Sequence, residues 1–219
     1  MISSIRGTEA FRYIAFELDP GDTVITESGA MASMSAELDC TARLNGGLIR
    51  GLIRKYLGGE SLFINHFTNN TNRPLQLILT SSGPGDVCAF ELNDSSICLE
   101  PGSYICSTPG VSLGVRYAGI SSFIAREGLF KLVLSGTGTV WFGGYGGFIE
   151  REIDGEFIVD SGHLVAYDPS ISLRTQLSAG IFGSLFSGEG FVTRLEGRGR
   201  VWLQTRSLSG LAGWINPRF

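Results

Sequence analysis

The chain has 219 residues, 43% of them apolar and 17% charged, enough to bury a substantial core and too apolar for a disordered tail protein. Glycine fills 31 positions, about twice its usual share, and at a cost of about 1 kcal/mol per helix-interior glycine this excludes a mainly helical fold. A net charge of −4 and a pI near 5.2 offer a polyanion no overall attraction, so nucleic-acid binding would need a local basic patch.

In chain order, three signals recur. The first is an acidic residue, then Ser or Pro, then Gly: Glu27-Ser28-Gly29, Glu100-Pro101-Gly102 and Asp160-Ser161-Gly162. Each follows a turn and a short β-prone run. The second is Glu, a small residue and a large apolar one, beginning at Glu60, Glu127 and Glu189. The third is a G-x-G-x-V turn into a strand, beginning at Gly83, Gly136 and Gly197. Three unlike signals in one order, three times, predict a triplicated β unit with boundaries at 1–90, 91–150 and 151–219.

Spacing marks the exception. Glu60 to Gly83 spans 23 residues, whereas Glu127 to Gly136 spans 9 and Glu189 to Gly197 spans 8. The first unit therefore carries an insertion around 68–74, whose Asn and Pro content predicts a solvated loop or hairpin tip. Runs such as Leu75–Thr80 and Leu129–Leu134 combine partial period-two patterning with apolar residues on both faces. That pattern fits a β-sandwich per unit, one sheet face packed in the unit and the other against a neighbour, with perimeter edges left for oligomer formation.

One segment departs from the β pattern. At about 100° per residue, Leu48, Ile49, Leu52, Ile53, Tyr56 and Leu57 fall on one half-circle and Arg50, Arg54 and Lys55 on the other. The spacing predicts a short amphipathic helix over 48–57, flanked by glycines, with a basic face. Its readings are a core or subunit-contact helix, a membrane-surface element, or a ligand for a partner protein's groove.

Taken together, Glu27–Met31, the Gly46–Phe63 stretch, Val159–Ala166, Gly188–Phe191 and Val201–Thr205 resemble the mitochondrial-biogenesis (altered-inheritance-of-mitochondria) family over nearly the whole chain. The resemblance implies a fold similar to the trp RNA-binding attenuation protein (TRAP), present as three fused β-sandwich repeats in a pseudo-threefold arrangement. It implies homotrimers or higher rings, and in mitochondrial members a role in inner-membrane organisation. It carries no catalytic mechanism, so no catalytic residue and no cofactor is expected.

The chemistry-bearing residues agree with a non-enzyme. Only His66 and His163 are present, in different units, so no two-histidine metal set forms within one unit and no metal site is expected. Gly110-Val111-Ser112-Leu113-Gly114 spells a nucleophile elbow, but a β-strand rather than a helix is predicted to follow it. Glu60, Glu127 and Glu189 recur with their whole local motif, which favours turn carboxylates over a three-carboxylate site. Arg198 and Arg200 have no basic counterparts in the other G-x-G turns, so nucleic acid is not expected as a partner. Cys40, Cys88, Cys98 and Cys106 lack metal-ligand spacing and read as reduced thiols. No apolar run approaches the roughly 18–20 residues of a spanning helix, and no signal segment is seen, so a cytoplasmic, membrane-associating protein is expected.

The expectation is thus an oligomeric β-scaffold that engages a membrane surface or a protein partner, with Leu48, Arg50, Leu52, Ile53, Arg54 and Lys55 as the candidate contact surface. RNA or small-ligand binding in a TRAP-like groove is the alternative, and an enzyme using His66 or His163 a third.

Overall fold

The computed structural model describes residues 1–44, 63–117, 130–177 and 191–216. A first set of strands comprises β1 (Ile2–Arg6), β2 (Tyr13–Leu18), β3 (Thr23–Glu27), β4 (Met31–Met34), β5 (Asp39–Leu44), β6 (Phe63–Thr68) and β7 (Leu75–Thr80). A second comprises β8 (Gly85–Leu99), β9 (Tyr104–Ser107), β10 (Val111–Tyr117) and β11 (Phe130–Tyr145). A third comprises β12 (Phe148–Asp160), β13 (Leu164–Tyr167), β14 (Ser172–Leu177) and β15 (Phe191–Gln204), and a helix, α1 (Leu208–Ile215), follows. The protein is mostly β, and every ladder between these strands is antiparallel.

One pairing scheme runs through all three sets. β11 and β15 are long strands, with β8 and β12 along one side and the short pairs β9/β10 and β13/β14 along the other. In the first set both long strands are broken in two: β2 and β3 pair with β7 and β6, while β4 and β5 take the places of the short strands. The turn between the short strands closes alike in each, with Leu38, Val111 and Ile171 donating their N–H to the carbonyls of Ser35, Thr108 and Asp168 at 3.0, 3.1 and 3.0 Å.

Period-two burial explains why these segments form strands. In β7, Leu75, Leu77 and Leu79 are buried while Gln76 is exposed, and β2 presents Ile14, Phe16 and Leu18 to the same core. That core also takes in Val87, Ile105, Cys106 and Trp141 from the second set, with Phe16 edge-on to Trp141 at 5.1 Å. The second core is completed by Val165, Ala166 and Trp202 of the third set. Neighbouring sets are also zipped through their backbones. β9 pairs with β3 (Ser107 with Ile25, Cys106 with Thr26), and β13 pairs with β8 (Tyr167 with Cys98, Ala166 with Leu99).

The glycine pairs divide into two kinds. Gly136 and Gly138 lie inside β11 with φ of 125° and 146°, and Gly197 and Gly199 inside β15 with φ of 138° and 157°. There the short-strand turn presses onto the long strand: a Cβ on Gly136 would sit 2.3 Å from the Gly110 carbonyl oxygen, and one on Gly197 2.7 Å from that of Ser170. Gly83 differs, which corrects the reading of the three G-x-G turns as equivalents. It lies in the connection before β8, has no positive φ, and faces open space. The corresponding break in the first set falls at the 68–74 insertion, and it is not wholly solvated. Asn69 is fully buried; its Nδ2 donates to the carbonyls of Leu18 and Arg73, both at 2.8 Å, and its Oδ1 accepts from the Thr71 amide and hydroxyl. A side-chain hub does there what a glycine pair does elsewhere. The positions expected as boundaries, 90/91 and 150/151, fall within β8 and β12.

Candidate functional site

The contact surface expected at Leu48, Arg50, Leu52, Ile53, Arg54 and Lys55, and with it the 48–57 helix, lies outside the described residues, as do Glu60, Glu127 and Glu189. What the described residues give is their anchorage. The segment 45–62 is framed by β5 and β6, whose last pair is Leu44 with Phe63. Segment 118–129 is framed by Tyr117 paired with Phe130, and 178–190 by Leu177 paired with Phe191. In sequence, 45–62 contains Leu48, Ile49, Leu52 and Ile53; 118–129 contains Ile120, Phe123 and Ile124; 178–190 contains Ile181, Phe182, Leu185 and Phe186. Three antiparallel pairs therefore terminate in three glycine-containing apolar segments.

His163 is tied to the backbone of the neighbouring strand end. His163 Nδ1 lies 2.7 Å from the Gln204 carbonyl oxygen, which can only accept, so the ring donates there. The acid next to it in sequence is committed elsewhere: Asp160 Oδ1 accepts the Gly162 amide at 2.8 Å and caps the turn Ser161–His163. Ser161 Oγ pairs with Thr193 Oγ1 at 3.0 Å. Among the described residues no nucleophile–base–acid relay is assembled at His163. His66 sits on β6 opposite Ile25 and Thr41, remote in register from His163. Ser112 of the G-x-S-x-G spelling is an exposed residue at the start of β10 opposite Ser135, without the strand-to-helix turn an elbow needs. Among the described residues no group of three or more His, Cys, Asp and Glu is placed to hold a metal ion.

The arginines of the third G-x-G pair each have a carboxylate within 4 Å. Arg198 approaches Asp154 at 3.9 Å. Arg200 lies 3.8 Å from Glu150 and 3.9 Å from Asp168, and its guanidinium also stacks over Phe90 and Trp202. Across β12 and β15 the charges form a self-compensating ladder, with Arg194 reaching Glu156 at 2.9 Å.

All four cysteines are free thiols. Cys40 is exposed, whereas Cys98 and Cys106 are buried. Burial first, then the neighbouring carboxylates of Glu150 and Asp86, pushes the half-buried Cys88 thiol up to about 11. Burial likewise raises the Cys106 thiol.

The surface feature missed at the level of sequence is apolar and unevenly placed. Among the described residues of the first set, the exposed large hydrophobics are Met1, Ile2, Phe11, Met31 and Met34. Those of the third set and its helix are Ile149, Ile158, Leu208, Trp214 and Ile215; the described residues of the second set contribute none. Beside β12 lies a hollow of about 340 Å³, bordered by Ile149, Phe157, Ile158, Leu203 and His163. No described helix is long and apolar enough to cross a membrane.

Comparison with known proteins bears on this geometry. The family model described as mitochondrial biogenesis AIM24 matches residues 3–206. An uncharacterized protein of Streptococcus pyogenes serotype M6 is 26% identical over 214 residues, covering 94% of this chain and 86% of its own length. The X-ray crystal structure of a Streptococcus pyogenes protein superposes with a TM-score of 0.80 at 24% identity, covering 100% of this chain and 99% of the other. At that identity the likeness concerns the fold.

Proposed function

The chain belongs to the mitochondrial biogenesis AIM24 family, and from that premise we propose that it is a non-enzymatic β-scaffold that rests on an anionic membrane surface. In this reading the three strand sets are three fused TRAP-like sandwich units around a pseudo-threefold axis, and the scaffold works as an oligomer. The observation that carries it is the repeated ending of a strand pair, Leu44/Phe63, Tyr117/Phe130 and Leu177/Phe191, in an apolar, glycine-containing segment. The first of these segments adds Arg50, Arg54 and Lys55.

The physical case is additive. Each Lys or Arg close to an anionic bilayer contributes about 1 kcal/mol, and one short apolar segment alone holds a surface weakly. Three segments on one chain, multiplied by the copies in an oligomer, raise overall binding through effective concentration without any new contact. The committed arginines of the third set and the turn-bound Asp160 beside His163 support a binding role over catalysis or RNA recognition.

Vesicle co-sedimentation tests the proposal. Wild type is expected to pellet with phosphatidylserine-containing vesicles and to remain in solution with purely zwitterionic ones. Arg50→Glu/Arg54→Glu removes about 2 kcal/mol of attraction and adds like-charge repulsion, so binding falls tenfold or more. Equal pelleting of both proteins, or of neither, contradicts the membrane reading.

A further inference from the structure

Helix α1 packs little of itself against the sheets. Its eight residues, Leu208–Ile215, carry no charge and none of them is buried; Leu208, Trp214 and Ile215 are 69%, 81% and 67% exposed. At about 100° per residue Leu208, Leu211, Ala212 and Ile215 form one apolar stripe, with Trp214 on its flank. Two turns that include two glycines fall well short of the roughly 12–15 residues at which an isolated helix becomes marginally stable in water. What holds α1 is capping: Ser207 Oγ accepts the Gly210 amide at 3.1 Å, and the Asn216 amide donates to the Ala212 carbonyl at 2.9 Å. A helix fixed at both ends that leaves its large side chains bare is shaped for an apolar surface outside the chain. It also lies beyond residues 3–206, the stretch that the family model matches.

Its place in the fold decides which surface. β12 and β15 fold back so that both ends of β15 reach one turn, Ser161–His163. Ser161 Oγ lies 3.0 Å from Thr193 Oγ1 near the start of β15, and His163 Nδ1 lies 2.7 Å from the Gln204 carbonyl oxygen at its end. α1 leans on the same turn: a Cβ on Gly162 would meet Ser207 Cβ at 3.1 Å and Ser209 Oγ at 3.3 Å. The helix therefore starts beside the Leu177/Phe191 pair, where segment 178–190 leaves the sheet. Its composition agrees with that position. An amphipathic helix docked in a protein groove keeps a polar side outward, whereas the side of α1 opposite the stripe holds Ser209, Gly210 and Gly213 and no charge. Exposed Trp214 supplies an apolar ring with one N–H donor, the combination that settles at a membrane–water interface.

We propose that α1 lies in the boundary between the headgroups and acyl chains of a bilayer, with Leu208, Leu211 and Ile215 toward the chains and the Trp214 indole among the headgroups. The inference rests on the membrane reading above and adds to it a contact that owes nothing to charge. A two-turn helix holds a surface weakly by itself, so α1 alone does not keep the chain on a zwitterionic vesicle. Once basic residues have brought the chain to an anionic bilayer, insertion of α1 slows its release, and this share of the binding survives salt.

Tryptophan fluorescence of the full chain tests it, with co-sedimentation read on the same samples. Trp141 and Trp202 are each 2% exposed, so Trp214 is the indole whose surroundings a vesicle can change. With phosphatidylserine-containing vesicles the emission should shift to the blue, and brominated acyl chains in those vesicles should quench it. Trp214→Phe should lose both responses and still pellet, because phenylalanine keeps an apolar ring. Leu208→Ser/Ile215→Ser alters side chains already exposed, so it should keep the wild-type circular dichroism and bind the vesicles roughly tenfold or more weakly. Pelleting without a Trp214 response, a blue shift that brominated chains leave unquenched, or wild-type binding by Leu208→Ser/Ile215→Ser would each overturn the α1 contact and leave the three-segment reading standing. A chain that pellets with neither anionic nor zwitterionic vesicles overturns both.

Discussion

Alanine at four glycines should separate the backbone requirements of the fold into graded costs. Gly83 has an ordinary φ and open space around it, so Gly83→Ala should be neutral or stabilise by up to about 1 kcal/mol through the unfolded chain. Gly155 has φ 107° and nothing within 4 Å of its added Cβ, so alanine there meets backbone strain alone, about 1–3 kcal/mol. Gly136 and Gly197 combine positive φ with a carbonyl oxygen 2.3 and 2.7 Å from the added Cβ. Strain plus a forced backbone shift of similar size gives roughly 2–6 kcal/mol. In a chain of this size each kcal/mol moves the thermal midpoint by about 2–4 °C. Urea unfolding measures the series as midpoint changes at constant slope. The expected order of damage is Gly136 and Gly197, then Gly155, then Gly83. A Gly83→Ala variant as damaged as Gly136→Ala, or a neutral Gly136→Ala, would refute the argument that the short-strand turn presses onto the long strand at the interior pairs.

Two further results follow from burial. At pH 8 iodoacetamide should modify exposed Cys40 first and Cys88 slowly, since burial and the Glu150 and Asp86 carboxylates hold the latter thiol protonated up to about pH 11; Cys98 and Cys106 should react only on unfolding. Two equally fast thiols by intact-mass spectrometry would contradict this. Lys131 is 3% exposed and paired with Glu100, so Lys131→Met, which leaves that carboxylate without its ammonium, should cost about 3–5 kcal/mol in urea unfolding. Lys131→Met/Glu100→Gln should cost less, and a larger loss in the double variant would contradict the pairing.

The sequence disclosed the β class through glycine content and period-two runs, and the family through its spaced motifs. Two of the three G-x-G turns proved to be strand-interior pairs with positive φ, because close approach of a neighbouring turn demands glycine in both places. In the third, Gly85 meets the Gly144 carbonyl closely, while Gly83 faces open space. In so glycine-rich a chain Gly83 spells the motif within an ordinary connection, while the equivalent break is held by Asn69 through side-chain hydrogen bonds that no glycine count reveals. α1 was not legible, since Leu208–Ile215 contains two glycines, no charge and no buried residue; its one local signal is Ser207, whose side chain accepts the Gly210 amide as an N-cap.

The membrane claim is met most directly by reading out its three segments one at a time. An environment-sensitive fluorophore placed at position 52, 124 or 185, on a cysteine introduced into a chain whose native cysteines are replaced by serine or alanine, reports the polarity around each segment as phosphatidylserine-containing vesicles are added. The account predicts a blue shift at all three positions over one vesicle concentration range, reversed by high salt most readily at position 52, where Arg50, Arg54 and Lys55 stand. An unchanged spectrum at all three, or a response confined to one, would contradict a scaffold that rests on the bilayer through three strand-pair ends.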